Sequence, residues 1–483
     1  MLFLKHPAWL WLKKHDKDKL PLVDDNQQAV FDAGHMFEKY AEQLFPGIVT
    51  VGFSGFEEYG SMPARTKSVL DQGAKIISQA RFESGNITCI CDILVKVAED
   101  SFDLYEIKSS TKVKPEHEFD LAFQMVVLEA CGYKVNKILV IHVNSDYIRD
   151  GEIKANQITT TSDITEKVKA KREETKANIE KALEVIASPK IPDISPSLAK
   201  GGSFGEWLEI YRSLTTVNPE SIYDLFMVGA DKIGKLEELK IERLVDIHDE
   251  FPLTDKQKFQ VLATKQGKEI IDIDEIKKFL KKLVYPLYFL DYETLSSVIP
   301  YFDGLRPYQQ IPFQYSVHVM DRPNGELTHF MYLHKENSNP AEALSKSLKS
   351  IIGTKGSVLV WNESFEKNCN ESLGKLIPEF GSFYEQLNER IVDLMIPFSS
   401  NWYVHKDFGG SASIKRVLPA LVTELSYKEL GIHEGAAAQR LWMEAVLDGI
   451  RDESKEQILN DLEEYCKLDT LAMVEIYKQL LNV

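Results

Sequence analysis

The amino-acid sequence predicts a mixed α/β protein with more than one domain. The chain has 483 residues, which is long for a single packed core and typical of two to three domains. Strand and helix patterns alternate in residues 1–190 and again in residues 285–483, whereas residues 191–284 are helical in pattern. Three prolines and then glycines follow residue 187 and mark the clearest boundary. We therefore expect two α/β domains joined by a helical connector, with those three ranges.

Composition limits the classes of function. Apolar residues make up 44% and charged residues 27%, as in ordinary globular proteins. The net charge is −17, from 57 basic and 74 acidic residues, so a nucleic-acid substrate would require divalent cations to screen the charge of the protein. No apolar stretch reaches the roughly 18–20 residues of a membrane span, and the first residues do not follow the order of a signal peptide. We expect a cytoplasmic protein with no membrane partner.

The first candidate site contains two acids and a lysine. Residues 87–97 have the pattern of a buried strand that includes Asp92, residues 98–101 of a turn, and the following segment of a second strand. Glu106 and Lys108 are two residues apart and so share one face of that strand. Two carboxylates can hold divalent ions that activate water, and an ammonium group can stabilise the transition state of phosphodiester cleavage. An E-x-K pattern is also common on exposed strands.

This arrangement resembles the PD-(D/E)XK nuclease superfamily, in its RecB and Cas4-like branch. Upstream, the Gly34–Glu38 segment is similar to the helical motif that supplies an extra metal ligand, which implies Glu38 and His35, although His35 also fits a helix surface. Downstream, a helix expected over residues 117–131 carries Gln124, but the tyrosine of the branch's Q-x-x-x-Y motif is replaced by Leu128. Cas4 proteins hold an iron–sulfur cluster. The five scattered cysteines of this chain predict none.

The second candidate site begins at the end of an apolar strand. Asp291 and Glu293 follow the run LYFL and lie on one face. Burying two adjacent carboxylates is unfavourable unless a cation compensates their charge. A D-x-E pattern at this position therefore indicates a metal site.

This D-x-E pattern resembles the first motif of the DEDD, or DnaQ-like, 3′–5′ exonucleases, which have a ribonuclease H-like fold. The segment from Asn362 to Glu366 is similar to the second motif, with Glu in place of the usual Asp. Tyr465 and Asp469, four residues apart on one helix face, are similar to the third motif of the tyrosine subgroup. The resemblance implies metal ligands at Asp291, Glu293, Glu366 and Asp469, with Tyr465 acting on the attacking water. Asp393 is either a fourth acid near the metals, which we favour, or a structural cap.

Residues 408–419 lie between the second and third motifs. Ser411, Lys415 and Arg416, together with Asn362, are candidate contacts to nucleic acid, and a flexible loop before a helix is the alternative. The D-Y-E-T, S-I-K and Y-C-K-L-D-T segments resemble the bacterial DUF2779 family, whose name records no function. The connector resembles a helix-hairpin-helix element that binds phosphate backbones, and an ordinary helical spacer is the alternative, which we favour.

Together these features predict a nuclease with two phosphodiesterase centres, each using one or two Mg²⁺ or Mn²⁺ ions. DNA is favoured over RNA, and a 3′–5′ exonuclease and end-processing activity in repair or defence is the leading hypothesis. Two alternatives stay open. One is an RNA exonuclease with the same chemistry. The other is a catalytically degenerate scaffold that binds nucleic acid, which the departures at Leu128 and Glu366 would explain.

Overall fold

The structure is a computed structural model that describes residues 1–427 and 430–483. These residues form two compact units. Unit 1 comprises Met1–Thr216, Gly229–Gly234 and Val298–Tyr308, and unit 2 comprises Val217–Val228, Lys235–Ser297 and Gln309–Val483. The segment predicted as a connector, residues 191–284, is divided between the two units.

Unit 1 combines one mixed sheet with helices. Its strands are β1 Val49–Thr50, β2 Ile76–Ser84, β3 Ile87–Ala98, β4 Ser101–Lys108, β5 Lys134–Val143 and β6 Thr159–Asp163. Its helices are α1 Leu2–Lys5, α2 Pro7–His15, α3 Asp25–Glu42, α4 Phe56–Tyr59, α5 Met62–Asp71, α6 Pro115–Ala130, α7 Ala155–Ile158, α8 Thr165–Ala170, α9 Arg172–Ala187 and α10 Phe204–Leu214.

The sheet of unit 1 has the strand order β1-β2-β3-β4-β5-β6. The β1–β2 and β4–β5 pairs are parallel, and the others are antiparallel. Leu121 of α6 lies in one buried cluster with Leu94 and Leu104, and Phe37 of α3 lies in another with Ile107. Helices α3 and α6 therefore cover the sheet through separate apolar clusters, and each carries one predicted site residue towards β4.

The helices of unit 1 differ from the expectation in one respect. The pattern from Ile164 to Ile186 predicts one amphipathic helix. The structure has two, α8 and α9, which are separated at Lys171. The backbone N–H of Lys171 bonds to Val168 as the end of the first helix, and its carbonyl accepts from Thr175 as the start of the second. Apolar periodicity alone does not distinguish this break from a continuous helix.

Unit 2 contains a five-stranded sheet and a separate two-stranded pair. Its strands are β7 Ile270–Ile271, β8 Leu287–Leu295, β9 Ile311–Met320, β10 Leu327–Leu333, β11 Ser357–Val360, β12 Ile391–Asp393 and β13 Tyr403–Val404. Helix α11, Ala230–Glu238, begins in unit 1 and ends in unit 2. The other helices are α12 Asp255–Gln266, α13 Ile273–Leu280, α14 Ala341–Ile351, α15 Glu363–Leu376, α16 Gly381–Asn388, α17 Ile396–Ser399, α18 Ile414–Leu421, α19 Gly435–Trp442 and α20 Lys455–Leu481.

The large sheet of unit 2 has the strand order β10-β9-β8-β11-β12. Strand β9 is antiparallel to β8 and β10, whereas β8, β11 and β12 are mutually parallel. The predicted hairpin around Asn324-Gly325 is confirmed as the β9–β10 connection. Helix α20 packs against β8 and β9. The first motif, on β8, and the third motif, on α20, are therefore neighbours.

Within residues 1–427 and 430–483, every helix is too short or too polar to span a bilayer.

Candidate metal centres

The first candidate centre lies on β3 and β4 of unit 1. The antiparallel register pairs Ile93 with Tyr105, which places Asp92 beside Glu106 on neighbouring strands. Oδ2 of Asp92 accepts the backbone N–H of Ile107 at 2.8 Å. The structure thus brings together the two acids that the sequence analysis paired across a turn.

Glu106 and Lys108 are joined in a network that also includes α6. Nζ of Lys108 donates to Oε1 of Glu106 at 2.6 Å and to Oδ2 of Asp120 at 3.1 Å. Nε2 of Gln124 donates to Oε2 of Glu106 at 2.8 Å. Asp120 was not predicted, although its position four residues before Gln124 on one helix face could have identified it.

The pKa values in the first centre reflect crowded, buried carboxylates. Burial raises the pKa of Asp92 to about 6, against hydrogen bonding from Ile107. Burial and the charge of Asp92 raise the pKa of Glu106 to about 8. Burial opposes the charge of Lys108, but Glu106 and Asp120 raise its pKa overall. One ammonium thus faces several acids, and a divalent cation would stabilise their ionised forms.

Strand β2 is distorted opposite Asp92. Gln79 has a φ of 51°, a left-handed conformation that is unusual for a residue other than glycine in a strand. Its Nε2 lies 3.4 Å from Oδ1 of Asp92. Ile77 and Ala80 belong to the same buried cluster, so the alternation of inward-facing residues changes phase at Gln79. Sequence patterns did not indicate this left-handed residue or its contact with the candidate ligand.

Helix α3 brings Glu38 near this centre and leaves His35 exposed. Burial raises the pKa of Glu38, which also interacts electrostatically with His35, Glu106 and Lys108. His35 is solvent-exposed one helical turn earlier. A role as metal ligand is therefore better supported for Glu38.

The replacement of the tyrosine of the Q-x-x-x-Y motif by Leu128 on α6 has a structural explanation. Leu128 is fully buried in the cluster between α6 and the sheet, so this position serves packing. Gln124 is only 4% exposed, and among the described residues its Oε1 has no hydrogen-bond partner. A buried amide oxygen in this state is a potential acceptor for a water molecule or another donor in the centre.

The second candidate centre lies in the second half of β8 in unit 2, because the strand continues past Asp291 and Glu293 to Leu295. One ligand atom each from Asp291, Glu293 and Cys466 lie within 4.8 Å of one another. A pocket of about 360 Å³ opens onto Asp291, Glu293 and Asp469 and is also lined by Tyr465 and Lys415. The first and third predicted motifs therefore meet in one cavity.

Two tyrosines and a lysine surround Asp469. The hydroxyl of Tyr427 donates to Oδ1 of Asp469 at 2.6 Å. Tyr465, only 3% exposed, lies with its ring centre 6.3 Å from that of Tyr427. Nζ of Lys415 lies 5.6 Å from the ring centre of Tyr465 and donates to the carbonyl of His433 at 2.6 Å. Tyr427 was not predicted, because no motif or spacing links it to the third motif.

Glu366 is the buried acid of the second motif. It is 2% exposed, and among the described residues its Oε2 has no hydrogen-bond partner. Burial raises its pKa to about 8. It also interacts electrostatically with Asp291. An unpartnered buried carboxylate oxygen is the donor that a hard cation would satisfy.

The remaining acids also favour protonation when no cation is present. Burial, followed by the charges of Asp469 and Glu293, raises the pKa of Asp291 well above its usual value. Burial and Asp469 do the same for Glu293, and Lys415 opposes this effect. Burial raises the pKa of Asp469 to about 6, against the hydrogen bond from Tyr427. Oxygen donors in this number and burial fit Mg²⁺ or Mn²⁺.

Asp393 makes the contacts of a structural cap, and its role as a fourth acid near the metals stays a prediction. Its carboxylate accepts backbone N–H groups from Asn362 at 3.2 Å, Glu363 at 3.3 Å and Met395 at 2.8 Å. Helix α15 begins at Glu363, so these bonds satisfy the N–H groups at its start. With both oxygens engaged, Asp393 holds the helix that carries Glu366.

The predicted nucleic-acid contacts fall in different places. Lys415 lines the pocket of the second centre, and Arg416 is exposed next to it on α18. Oγ of Ser411 accepts the N–H of Ser413, which orders the turn before α18. Asn362 is exposed in a left-handed conformation with a φ of 105°. Lys415 is thus the predicted contact that lies in the pocket itself.

Gly410, in the loop before α18, has a packing role. Gly410 has a φ of 74°, and a Cβ atom there would lie 2.5 Å from Cβ of Phe226. A side chain is therefore excluded by both backbone conformation and contact. The contact with Phe226 is therefore sufficient to explain why residue 410 is a glycine.

Curated relatives of this chain are uncharacterised proteins of mycoplasmas. The chain is 23% identical to the uncharacterized protein MG366 homolog of Mycoplasma pneumoniae over 61% of its own length and 45% of the relative. It is 28% identical to MG366 of Mycoplasma genitalium over 41% of its length, and 26% identical to UU173 of Ureaplasma parvum over 42%. The last two matches cover 32% of each relative.

The chain thus spans less than half the length of these curated relatives. No solved structure matches it significantly. Residues 288–413, which run from β8 to the loop before α18, match the family described as a domain of unknown function, DUF2779.

Proposed function

We propose that this chain is a metal-dependent nuclease with two phosphodiesterase centres, one in each unit. We further propose a PD-(D/E)XK fold for the main part of unit 1 and a ribonuclease H-like fold of the DEDD type for the sheet of unit 2. DNA is the favoured substrate. Trimming of 3′ ends is assigned to the second centre, and cutting or resection of ends to the first.

The strand arrangements support these folds. In unit 1, β2, β3 and β4 are antiparallel neighbours, and β5 follows α6 to lie parallel to β4. In unit 2, β8 lies between antiparallel β9 and parallel β11, and α20 returns the last motif to β8. Both arrangements agree with the resemblances found in the sequence, and each places its acids on adjacent elements.

The observation that carries the proposal is the clustering of buried acids in the second centre. Asp291 and Glu293 lie close together, Asp469 lines the same pocket, and Glu366 adds an unpartnered oxygen. Among the described side chains at this pocket, Lys415 is the cation, and it also contacts His433. Such clustering is strongly unfavourable unless protons or metal ions neutralise it, and it serves no purpose for stability.

The residues of the second centre have distinct proposed roles. Asp291, Glu293, Glu366 and Asp469 would hold Mg²⁺ or Mn²⁺, which would lower the pKa of the attacking water and neutralise charge on the scissile phosphate. Tyr465 lies beside Asp469 and is placed to orient that water. Lys415, at the pocket wall, would attract the phosphate backbone.

The first centre has a parallel set of roles. Asp92, Glu106 and Glu38 would hold the cation. Lys108 is bound to Glu106 and so lies next to the cation site, where its ammonium would stabilise the transition state. Gln124 fixes the carboxylate of Glu106 through a hydrogen bond. His35 is exposed on α3, so it would reach the cation only from the edge of the site.

The test is a cleavage assay on matched single-stranded DNA and RNA, labelled at either end, with Mg²⁺, Mn²⁺ or EDTA. Asp92→Asn and Asp291→Asn are prepared separately and together, with Asp103→Asn as a matched control on β4. Asp103 lies on the same sheet but bonds to Asn136 and Lys137, away from the candidate ligands. We expect EDTA-sensitive cleavage that each site variant reduces in part and the double variant abolishes.

The products separate the alternatives. Preference for the RNA substrate would favour the RNA exonuclease. Metal-independent cleavage, or cleavage that survives in the double variant, would contradict the proposal. Nucleic-acid binding without any metal-dependent product would indicate a degenerate scaffold.

A further inference from the structure

A cysteine lies among the carboxylates of the second centre. Sγ of Cys466 is 3.9 Å from Oδ2 of Asp291, towards which the thiol is directed. It also belongs to the group of three donor atoms that includes Glu293 and lies within 4.8 Å. Cys466 follows Tyr465 directly on α20, and it is fully buried. In the sequence it stood out only as one of five scattered cysteines.

A second feature indicates that this group is arranged for a ligand. Oε2 of Glu366, on a residue 2% exposed, has no hydrogen-bond partner among the described residues. Glu366 acts electrostatically on Asp291, so its carboxylate lies near the same group. A buried, unpartnered carboxylate beside two acids and a thiol is not explained by packing. A cation held by Asp291, Glu293 and Cys466 would also offset the charge of Glu366.

The donor chemistry is mixed. Carboxylates are hard ligands that suit Mg²⁺ and Mn²⁺, whereas a thiolate is soft and selects Zn²⁺ and related cations. Zinc–sulfur bonds are about 2.3 Å and zinc–oxygen bonds about 2.0–2.2 Å. A sulfur–oxygen separation of 3.9 Å is compatible with one ion bound to both Cys466 and Asp291.

We propose that Asp291, Glu293 and Cys466 form a binding site for thiophilic divalent cations, of which Zn²⁺ is the physiological example, and that such a cation inhibits the second centre. The inhibition rests on the proposed nuclease function. Binding converts the Cys466 thiol to a thiolate that bonds the cation, and the proton passes to solvent. Zn²⁺ bound in this way would occupy the carboxylates that Mg²⁺ requires.

Co²⁺ is the probe, because a cobalt–thiolate bond gives an intense charge-transfer absorption in the near ultraviolet and carboxylate ligands alone do not. The full-length chain, reduced and free of metal, is titrated with Co²⁺ and then with Zn²⁺. We expect a thiolate band that saturates with Co²⁺ and disappears as Zn²⁺ displaces it. Cys466→Ser should abolish the band and weaken Co²⁺ binding by about tenfold or more, since even supporting residues of metal sites contribute that much.

Cys131→Ser is the matched control, because Cys131 is the most accessible of the described cysteines and lies in unit 1. It should leave the band unchanged. Circular dichroism in EDTA checks that Cys466→Ser is folded, and Cys466→Ala provides a second variant. Asp291→Asn should weaken the band by removing a neighbouring ligand.

The outcomes separate this inference from the proposed function. A parent chain that binds Mn²⁺ in the second centre, shown by electron paramagnetic resonance, but gives no cobalt–thiolate band would overturn the inference and leave the nuclease proposal standing. A band that persists in Cys466→Ser would also overturn it. Failure of both Mn²⁺ and Co²⁺ to bind unit 2 would remove the proposed function as well.

Discussion

The hydroxyl of Tyr427 donates a 2.6 Å hydrogen bond to Oδ1 of Asp469, a candidate metal ligand. Tyr465, the tyrosine of the third motif, also interacts with this carboxylate, and its ring centre lies 6.3 Å from that of Tyr427. We propose that the two tyrosines have separable roles, with Tyr427 holding the ligand and Tyr465 acting on the attacking water.

Tyr427→Phe is expected to weaken Mn²⁺ binding in the second centre by about tenfold to a hundredfold, because a hydrogen bond to a charged group contributes about 1.5–3 kcal/mol. Tyr465→Phe should instead lower kcat with little change in Mn²⁺ affinity. Calorimetric titration in the Asp92→Asn background measures the affinity. Tyr384→Phe, which removes a buried hydroxyl that donates to Ser345, is the control. Equal effects of the Tyr427 and Tyr465 variants on affinity would contradict the assignment.

The stability of the metal-free chain should fall as pH rises. Glu366 has a pKa of about 8 in the folded chain against an ordinary 4.5, so the folded state retains a proton that the unfolded state loses. This contribution is fully present below about pH 4.5 and is lost as pH rises through about 8. Glu106, with a pKa of about 8, makes the same kind of contribution to stability. Asp92 and Asp469 have a pKa of about 6, so their contributions are lost as pH rises through about 6.

Thermal unfolding in EDTA across this range measures the effect. We expect the midpoint to fall between pH 5 and pH 8, and Mg²⁺ or Mn²⁺ to restore it more strongly at the upper end. Glu366→Gln keeps the shape of the side chain and removes its titration, so its pH dependence should be weaker. A midpoint that rises with pH in EDTA would show that folding does not raise the pKa values of these acids.

Asp393 distinguishes a helix cap from a metal ligand. Asparagine keeps one oxygen that can accept the N–H groups of Asn362 and Met395, but its NH₂ group would face the N–H of Glu363, and it is a much weaker metal ligand. Asp393→Asn is therefore expected to lower the free energy of unfolding by about 1 kcal/mol and to leave Mn²⁺ affinity nearly unchanged. Asp393→Ala should lower the free energy of unfolding by about 1–2 kcal/mol. A large loss of Mn²⁺ affinity in Asp393→Asn would return this residue to the metal site.

Gln79 combines an unfavourable backbone conformation with a contact to Asp92. At a positive φ, glycine is relaxed and alanine is not, so Gln79→Gly should be more stable in EDTA than Gln79→Ala by about 1 kcal/mol. Both variants lose the amide that contacts Asp92 and should bind Mn²⁺ more weakly in the first centre. Denaturant unfolding and Mn²⁺ titration in the Asp291→Asn background measure the two effects. Equal stability of the two variants would mean that the backbone at this position leaves the left-handed conformation without glycine.

The sequence predicted the elements that carry local patterns. The β3–β4 pair and the β9–β10 hairpin followed from alternation and turn residues, and Asp291 and Glu293 were evident as acids at the end of an apolar strand. Asp393 was ambiguous because a cap and a ligand require the same carboxylate. Tyr427 and Gln79 could not be predicted, since their contacts depend on the tertiary path of a loop and on a left-handed backbone conformation within a strand.

The central claim is that each unit holds divalent cations between its buried carboxylates. Crystals of the full-length chain soaked in Mn²⁺ test it directly through anomalous difference density. The account predicts one peak between Asp92 and Glu106 and another among Asp291, Glu293 and Asp469, with the second lost in Asp291→Asn. Anomalous density absent from both clusters at saturating Mn²⁺ would contradict the account.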